Sequence, residues 1–266
     1  MRVAAIQHDI VWEDRDATLA RLTPAVARAA AAGAELIVLT EMFATGFSMS
    51  THLTAEEEDG PSLAWLRAQA RAHGVVLAAS VPLRSPTPDA SGPAGLPTNS
   101  LLVVDEEGLR ARYDKLHPFA YAGEHERFRA GTRPVSIEIA GLTIGLSVCY
   151  DLRFANLYWE RSPAVDVEVV VANWPAARRH HWRRLIDARA IENQTYLVAV
   201  NRVGSGGGLE YAGDSRIVDP LGEVLVAGAG DETILLAELR AEVVTEARRT
   251  LPFREDRRVL GPGDLR

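Results

Sequence analysis

The single cysteine of this chain is a candidate nucleophile. Cys149 is the only cysteine among 266 residues, and it ends the apolar, strand-like run LTIGLSV, after which the chain turns polar at YDLRF. The end of a strand is where α/β proteins place reactive groups, and a thiolate there could act as a nucleophile. An isolated cysteine packs more often as a small, inert hydrophobe. Cys149 alone therefore leaves both interpretations open.

The only lysine adds weight to the chemical interpretation. Of the 29 lysine and arginine residues, 28 are arginine, and the exception is Lys115 in YDKLHPF. Whatever favours arginine would also act on a surface lysine, so we expect Lys115 where a planar guanidinium does not fit. A compact ammonium beside a reacting atom could hold a developing oxyanion. Chance survival of one lysine is the alternative.

A glutamate is the third candidate for a catalytic site that would also contain Cys149 and Lys115. ELIVLTEMFATGF places Glu41 at the end of an apolar strand, before a loop that contains glycine and two phenylalanines. A carboxylate at the end of a strand is either solvated and without a catalytic role, or a base in a partly desolvated pocket. With Cys149 as nucleophile and Lys115 as positive group, Glu41 would supply the base of a Cys–Glu–Lys triad.

Composition restricts the function classes. The formal net charge is −7 and the sequence pI is about 5.6, which argues against a nucleic-acid partner. One cysteine cannot form an intrachain disulfide. The N-terminus lacks the apolar core of a signal peptide, and no run approaches the roughly 18 apolar residues of a membrane helix. We therefore expect a cytoplasmic protein with neither a nucleic-acid nor a membrane partner.

Strands and helices alternate along the first part of the chain, as the spacing of apolar residues indicates. The apolar segments RVAAIQH, AELIVLTE and VVLAASV are typical of buried strands, and two amphipathic helices lie between them. The first helix should begin near Asp16 and stop at Gly33, with Pro24 either bending it or marking its true first turn. The second should run from Pro61 to Gly74.

The later chain is richer in hairpins. LLVVDEEGLRARYD reads as strand, turn, strand, and VSIEIAGLTIGLSVC should turn at Ala140 and Gly141. Residues 84–98 are a Pro/Gly/Ser-rich loop inside the pattern, predicted to be a mobile surface excursion. About ten strands and four or more helices predict an α/β layered sandwich in which residues 1–266 form one domain.

Three motifs together resemble the nitrilase, or carbon–nitrogen hydrolase, superfamily: LTEMFATGF, YDKLHPF and SVCYDLRF. The order Glu41, Lys115, Cys149, their wide spacing and the chain length agree with that family. The resemblance implies a four-layer αββα sandwich of the nitrilase type that pairs through its outer helices, so a homodimer is expected. It also implies a thioester on Cys149 and no metal or other cofactor.

Two further stretches are similar to the omega-amidase branch: ANWPAARRHHWRRLIDARAIENQTYLVAVNRVG and YAGDSRIVDPLGE. That branch hydrolyses the terminal amide of small 2-oxo acid amides such as 2-oxoglutaramate or 2-oxosuccinamate. The chain departs from the family pattern at Thr40, where proline is common, and at Ala155-Asn156, where many members have Pro-Glu. The second departure puts the substrate more in question than the reaction.

Further candidate site residues follow, the first from the resemblance and the others from residue type and position. Glu124 in YAGEHERF would hydrogen-bond Lys115 and orient it, with Glu126 as the weaker candidate. The backbone N–H of Tyr150 would help to hold the oxyanion. Phe47 and Trp174 would line the substrate pocket, although Trp174 could equally be a core residue. An anionic substrate calls for a cation, and Arg178, which is nearest to NWP, is our candidate.

Other function classes remain open. The same site could hydrolyse nitriles, N-carbamoyl amines or aliphatic amides, and a remote alternative is a non-catalytic binding protein on the same fold. A protein that had lost catalysis would be expected to have lost Lys115 or Cys149 as well. The amidohydrolase of small 2-oxo acid amides is therefore the leading hypothesis.

Overall fold

The computed structural model describes residues 1–84 and 95–258. These residues form fourteen strands: β1 (Arg2–Gln7), β2 (Leu36–Val38), β3 (Val76–Leu83), β4 (Thr98–Val104), β5 (Leu109–Asp114), β6 (Ser136–Ile139), β7 (Leu142–Val148), β8 (Val167–Ala172), β9 (Tyr196–Asn201), β10 (Val203–Gly206), β11 (Leu209–Ala212), β12 (Arg216–Val218), β13 (Val224–Ala227) and β14 (Thr233–Glu238). The α-helices in the same ranges are α1 (Arg15–Ala31), α2 (Thr51–Thr54), α3 (Pro61–His73), α4 (Glu124–Arg127), α5 (Ala155–Arg161), α6 (Arg179–Asn193) and α7 (Ala241–Thr250).

Two six-stranded sheets dominate the fold. The first has the order β14-β1-β2-β3-β4-β5, and the second has the order β13-β12-β9-β8-β7-β6. Strands β1, β2 and β3 run parallel to one another, as do β7, β8 and β9. A separate hairpin, β10-β11, lies outside both sheets.

The two sheets pack face to face because alternate strand residues point to opposite sides. In β8, Val167, Val169 and Val171 enter a core shared by both sheets, whereas Val170 and Ala172 pack against the helix layer of α5 and α6. Helices α1 and α3 cover the outer face of the first sheet in the same way. The four-layer αββα sandwich of the nitrilase type is thereby confirmed.

Two local expectations differ from the structure. The described residues hold more strands than the ten expected, because the glycine-rich hairpin β10-β11 has no apolar alternation that would predict it. Helix α1 begins at Arg15, so Pro24 lies inside it and does not mark its first turn. The Asp14 carboxylate accepts the Ala17 N–H at 3.0 Å and caps the earlier start. Residues 85–94 of the Pro/Gly/Ser-rich loop lie outside the described residues.

The topology sets where reactive groups can meet. The carboxyl ends of parallel strands β2, β7 and β8 lead into Glu41, Cys149 and Asn173, and the end of β5 leads directly into Lys115. Because the two sheets face each other, these ends converge at one edge of the sandwich. Within the two described ranges, no helix has the length and apolar character needed to cross a membrane.

Candidate active site

A buried ion cluster lies at this edge. The Lys115 Nζ donates to Glu41 Oε1 at 2.9 Å and to Glu124 Oε2 at 2.8 Å. All three side chains are almost completely buried, with exposed fractions of 1%, 0% and 0%. The structure therefore brings together two glutamates and the lysine that are far apart in the sequence.

The ionisation of the cluster follows from its charges. Burial by itself lowers the pKa of Lys115, but the carboxylates of Glu124 and Glu41 outweigh burial and hold this pKa well above its ordinary value. Lys115 is consequently an ammonium. Burial raises the pKa of Glu124. The positive charge of Lys115 lowers this pKa, and the negative charge of Glu41 raises it. The Phe119 N–H donates to Glu124 Oε2 at 2.5 Å and helps to hold this carboxylate beside the lysine.

Asn99 belongs to the cluster, although sequence reasoning did not single it out. Its Nδ2 donates to Glu41 Oε1 at 2.8 Å and to Glu124 Oε1 at 3.1 Å. Its backbone carbonyl accepts the Lys115 N–H at 2.9 Å. An asparagine within a strand carries no distinctive sequence signal, since its role depends entirely on partners from other elements.

Cys149 opens a 3₁₀ turn (Cys149–Arg153) directly after β7, with a φ of 45°. This left-handed conformation is costly for a residue with a side chain, and at such a site it aims the thiol. Burial raises the pKa of the Cys149 thiol, and the nearby negative charge of Glu41 raises it further, while Lys115 opposes both. The resting cysteine is therefore a neutral thiol with a carboxylate at hand.

Asp151 ties the cysteine turn to the lysine segment. Its Oδ2 accepts the Tyr113 hydroxyl at 2.7 Å and the Val148 N–H at 3.0 Å, while its Oδ1 lies 2.7 Å from His117 Nδ1. Tyr113 and His117 flank Lys115 in the chain. The buried carboxylate thus fixes the position of the nucleophile relative to the ammonium.

A cavity of about 250 Å³ opens onto Glu41 and Cys149. All four predicted substrate-contact residues line it, together with a second arginine and the β10-β11 hairpin: Phe47, Tyr150, Trp174, Arg178, Arg153, Leu209 and Tyr211. Most of this wall is aromatic or aliphatic. Such a cavity suits a small organic molecule with a few polar anchor points.

Two arginines supply the positive charge of the cavity. The Arg178 guanidinium lies over the Phe119 ring at 5.5 Å, and that of Arg153 lies over the Trp174 ring at 4.7 Å. Burial lowers the pKa of Arg153, and the positive charge of Arg178 lowers it further. Sequence reasoning overlooked Arg153, yet it stands in the CYDLRF motif four residues after the cysteine.

Asn173 contacts Glu41 and also lines the cavity. Its backbone N–H donates to Glu41 Oε2 at 2.8 Å, and its Nδ2 donates to the Glu41 carbonyl oxygen at 2.5 Å. Within the described part of the chain, its buried Oδ1 has no hydrogen-bond partner. An unused acceptor beside the reacting groups suits a substrate N–H or a water.

The remaining sequence candidates lie away from the cluster. Glu126 is exposed, and its Oε1 lies 4.0 Å from His125 Nε2. Thr40 faces His8, with 3.4 Å between Oγ1 and Nε2, and Ala155 and Asn156 are exposed in the first turn of α5. Across residues 1–84 and 95–258, no three His, Cys, Asp or Glu side chains come together to hold a metal ion.

The chain is similar to known carbon–nitrogen hydrolases over most of its length. A carbon–nitrogen hydrolase family model matches residues 2–249. The omega-amidase YafV of Escherichia coli K12 is 37% identical, with 96% of each chain covered. The 2-oxoglutaramate amidase of Bacillus subtilis is 35% identical, with 84% of this chain and 85% of that protein covered.

Solved structures of carbon–nitrogen hydrolases and amidases also resemble this chain. A CN-hydrolase superfamily protein from Xanthomonas campestris, XC1258, superimposes with a TM-score of 0.88 at 35% identity, covering 98% of this chain and 99% of the other. A variant of the amidase from Nesterenkonia sp. AN1 gives a TM-score of 0.80 at 26% identity, covering 95% and 98%. In that amidase, acrylamide has added to the active-site cysteine.

Proposed function

The chain belongs to the carbon–nitrogen hydrolase family, and we propose that it is an omega-amidase acting on small 2-oxo acid amides such as 2-oxoglutaramate or 2-oxosuccinamate. The observation that carries the proposal is the Lys115 ammonium held between Glu41 and Glu124 at 2.9 Å and 2.8 Å, with Cys149 beside them at the floor of a small cavity. The products are the 2-oxo diacid and ammonia.

Acylation begins with a proton transfer. Glu41 takes the proton of the neutral Cys149 thiol, and the sulfur attacks the amide carbon. Lys115 uses N–H bonds on the two carboxylates and has a third N–H for the oxyanion, to which the Tyr150 backbone N–H also donates. The tetrahedral intermediate collapses as the carbon–nitrogen bond breaks. Glu41 returns its proton to the leaving nitrogen, which departs as ammonia.

In deacylation, the same groups catalyse the attack of water on the thioester. Water enters as ammonia leaves, and Glu41 removes a proton from it as it attacks the thioester carbon. Lys115 and the Tyr150 N–H hold the second oxyanion. When the carbon–sulfur bond breaks, the proton on Glu41 returns to the Cys149 sulfur. Each cycle therefore ends with the thiol and the carboxylate in their starting states.

The arginines support the choice of an anionic substrate. A 2-oxo acid amide carries a carboxylate at the end opposite its amide. Arg178 and Arg153 line the same cavity as Cys149, and a guanidinium is well suited to a carboxylate. We assign Arg178 to the substrate carboxylate, with Arg153 as a second cation. Phe47, Trp174 and Tyr150 form the apolar wall along the carbon chain.

The outer helix layer has exposed apolar residues that support pairing of two copies of the chain. We propose that residues 1–266 act as one domain and form a homodimer through the layer of α5 and α6. Trp159 on α5 is 36% exposed and Ile191 on α6 is 47% exposed, which gives this layer an apolar surface. Light scattering coupled to size exclusion should give twice the mass of the chain, and charged residues at these two positions should return it to a monomer.

The decisive experiment is an ammonia-release screen. It compares 2-oxoglutaramate, 2-oxosuccinamate, glutamine, N-carbamoyl amines and simple nitriles, with Cys149→Ala as the inactive control. The 2-oxo acid amides should give the highest kcat/KM. Equal or higher values for nitriles or carbamoyl amines would assign the site to another carbon–nitrogen hydrolase. In parallel, iodoacetamide should add once to the wild type and abolish activity, which an unreactive Cys149 would contradict.

A further inference from the structure

Asn99 contacts all three residues of the cluster through different atoms. Its Nδ2 donates to both carboxylates, and its backbone carbonyl accepts the backbone N–H of Lys115. We propose that Asn99 is a positioning residue that holds the Glu41 carboxylate in place to accept the Cys149 proton, because its two N–H groups fix both carboxylates against one lysine. The inference rests on the catalytic roles proposed for Glu41 and Cys149.

The orientation of the Asn99 amide follows from a neighbouring hydroxyl. Ser80 Oγ accepts the Met42 N–H at 2.7 Å, and its own proton goes to Asn99 Oδ1 at 2.9 Å. The Asn99 oxygen therefore faces Ser80 and the NH₂ group faces the carboxylates. With two protons on Nδ2, one N–H serves Glu41 and the other serves Glu124.

The charge balance explains why two such donors are needed. Glu41 and Glu124 carry two negative charges against the single positive charge of Lys115, and all three are buried. Two carboxylates in one buried site repel each other, and one of them tends to take up a proton. A protonated Glu41 could not accept the thiol proton. Two neutral N–H donors stabilise both anions without adding a charge, and Asn99, which is itself 1% exposed, provides them.

The titratable groups that face Glu41 come from several elements. Lys115 follows β5, Glu124 lies in α4, Cys149 follows β7, and Tyr211 lies in β11. Beyond these, the cavity presents the cations Arg153 and Arg178. A change at Asn99 alters none of these groups. A shift in the pH dependence would therefore report the loss of its two N–H donors.

The test replaces Asn99 by a residue of similar size that has no donor. In Asn99→Leu, each of the two carboxylates loses a hydrogen bond that favours its charged form. The acidic limb of the pH profile of kcat/KM should move upward by about one pH unit. At its optimum, kcat should fall at least about tenfold, a typical effect of losing a hydrogen bond to a charged group. KM should change little, because Asn99 does not line the cavity.

A matched control separates positioning from general damage. Asn193→Leu makes the same replacement at a fully buried asparagine at the end of α6, which donates to the Arg189 carbonyl and contacts none of the cluster. It should leave the acidic limb in place whatever it does to the melting temperature. If Asn99→Leu lowers the yield of folded enzyme without moving the limb, the proposal is overturned.

Two further measurements keep the inference independent of folding and of substrate. Should Asn99→Leu not fold, Asn99→Ser, which also lacks the NH₂ group, must show the upward shift, and an unmoved limb there overturns the proposal. The rate of Cys149 alkylation by iodoacetamide is measured against pH in the same variants. Its acidic limb must shift as well, even if no amide in the screen proves to be a substrate.

Discussion

Glu41 and Asn173, 132 positions apart in the chain, are joined by two hydrogen bonds. The Asn173 N–H donates to Glu41 Oε2 at 2.8 Å, and the Asn173 Nδ2 donates to the Glu41 carbonyl at 2.5 Å. Glu41 follows a strand of the first sheet and Asn173 a strand of the second. The carboxylate proposed as the general base is therefore held in place by the sheet that carries the nucleophile.

Asn173→Ala should impair amide hydrolysis more than ester hydrolysis. The substitution removes the bond to the Glu41 carbonyl for both reactions, but only an amide can donate an N–H to the unused Oδ1. We expect kcat/KM for a 2-oxo acid amide to fall about tenfold more than that for its methyl ester. Kinetics of both substrates with both enzymes check this. Equal losses would mean that Oδ1 does not contact the reacting amide.

Lys115→Arg should lower kcat although it keeps the charge. The guanidinium is planar and larger, and the ammonium site is buried between two carboxylates. Loss of one oxyanion donor typically costs about 10²-fold or more in kcat. The exposed Arg110→Lys is the reciprocal control and should leave the kinetics unchanged. Near-normal turnover in Lys115→Arg would remove the lysine from the proposed mechanism.

Glu41→Gln should separate thiol ionisation from turnover. Burial and then the Glu41 charge raise the pKa of Cys149, so replacing the carboxylate by a neutral amide should lower that pKa. Ultraviolet thiolate absorbance against pH should then show ionisation at lower pH than in the wild type. Turnover should nevertheless fall about 10²-fold or more, since the general base is lost. A thiol pKa that stays the same or rises would contradict the proposed pairing of the two groups.

Arg178→Ala should raise KM for 2-oxoglutaramate far more than for an uncharged short amide. A hydrogen bond between charged groups contributes about 1.5–3 kcal/mol, which corresponds to roughly 10- to 150-fold in kcat/KM. The uncharged amide is the control within the same variant. If the wild type shows no preference for the carboxylate-bearing substrate, the omega-amidase proposal is wrong. If the preference survives in Arg178→Ala but is lost in Arg153→Ala, the reaction stands and the carboxylate belongs to Arg153.

Local features of the fold could be predicted from residue patterns alone. Apolar alternation predicted most strands, and the hairpin turn at Ala140 and Gly141 is present, with φ values of 48° and 75°. The solitary Cys149, the solitary Lys115 and Glu41 could be selected because residue type, count and position at strand ends are all visible in one dimension. Family motifs then predicted the four-layer fold and the carbon–nitrogen hydrolase family, and both are confirmed.

Four residues of the site could not be predicted from the sequence and are recognised only in the folded chain. Asn99, Asn173, Asp151 and Arg153 are common residue types, and their roles depend on partners supplied by other elements. Their hydrogen bonds form where strand ends of two facing sheets converge, and that convergence depends on strand order and sheet packing. Local patterns encode the period of a strand or the chemistry of a turn. They do not encode which distant carboxylate a buried amide will meet, because that contact exists only after both sheets have formed and packed together.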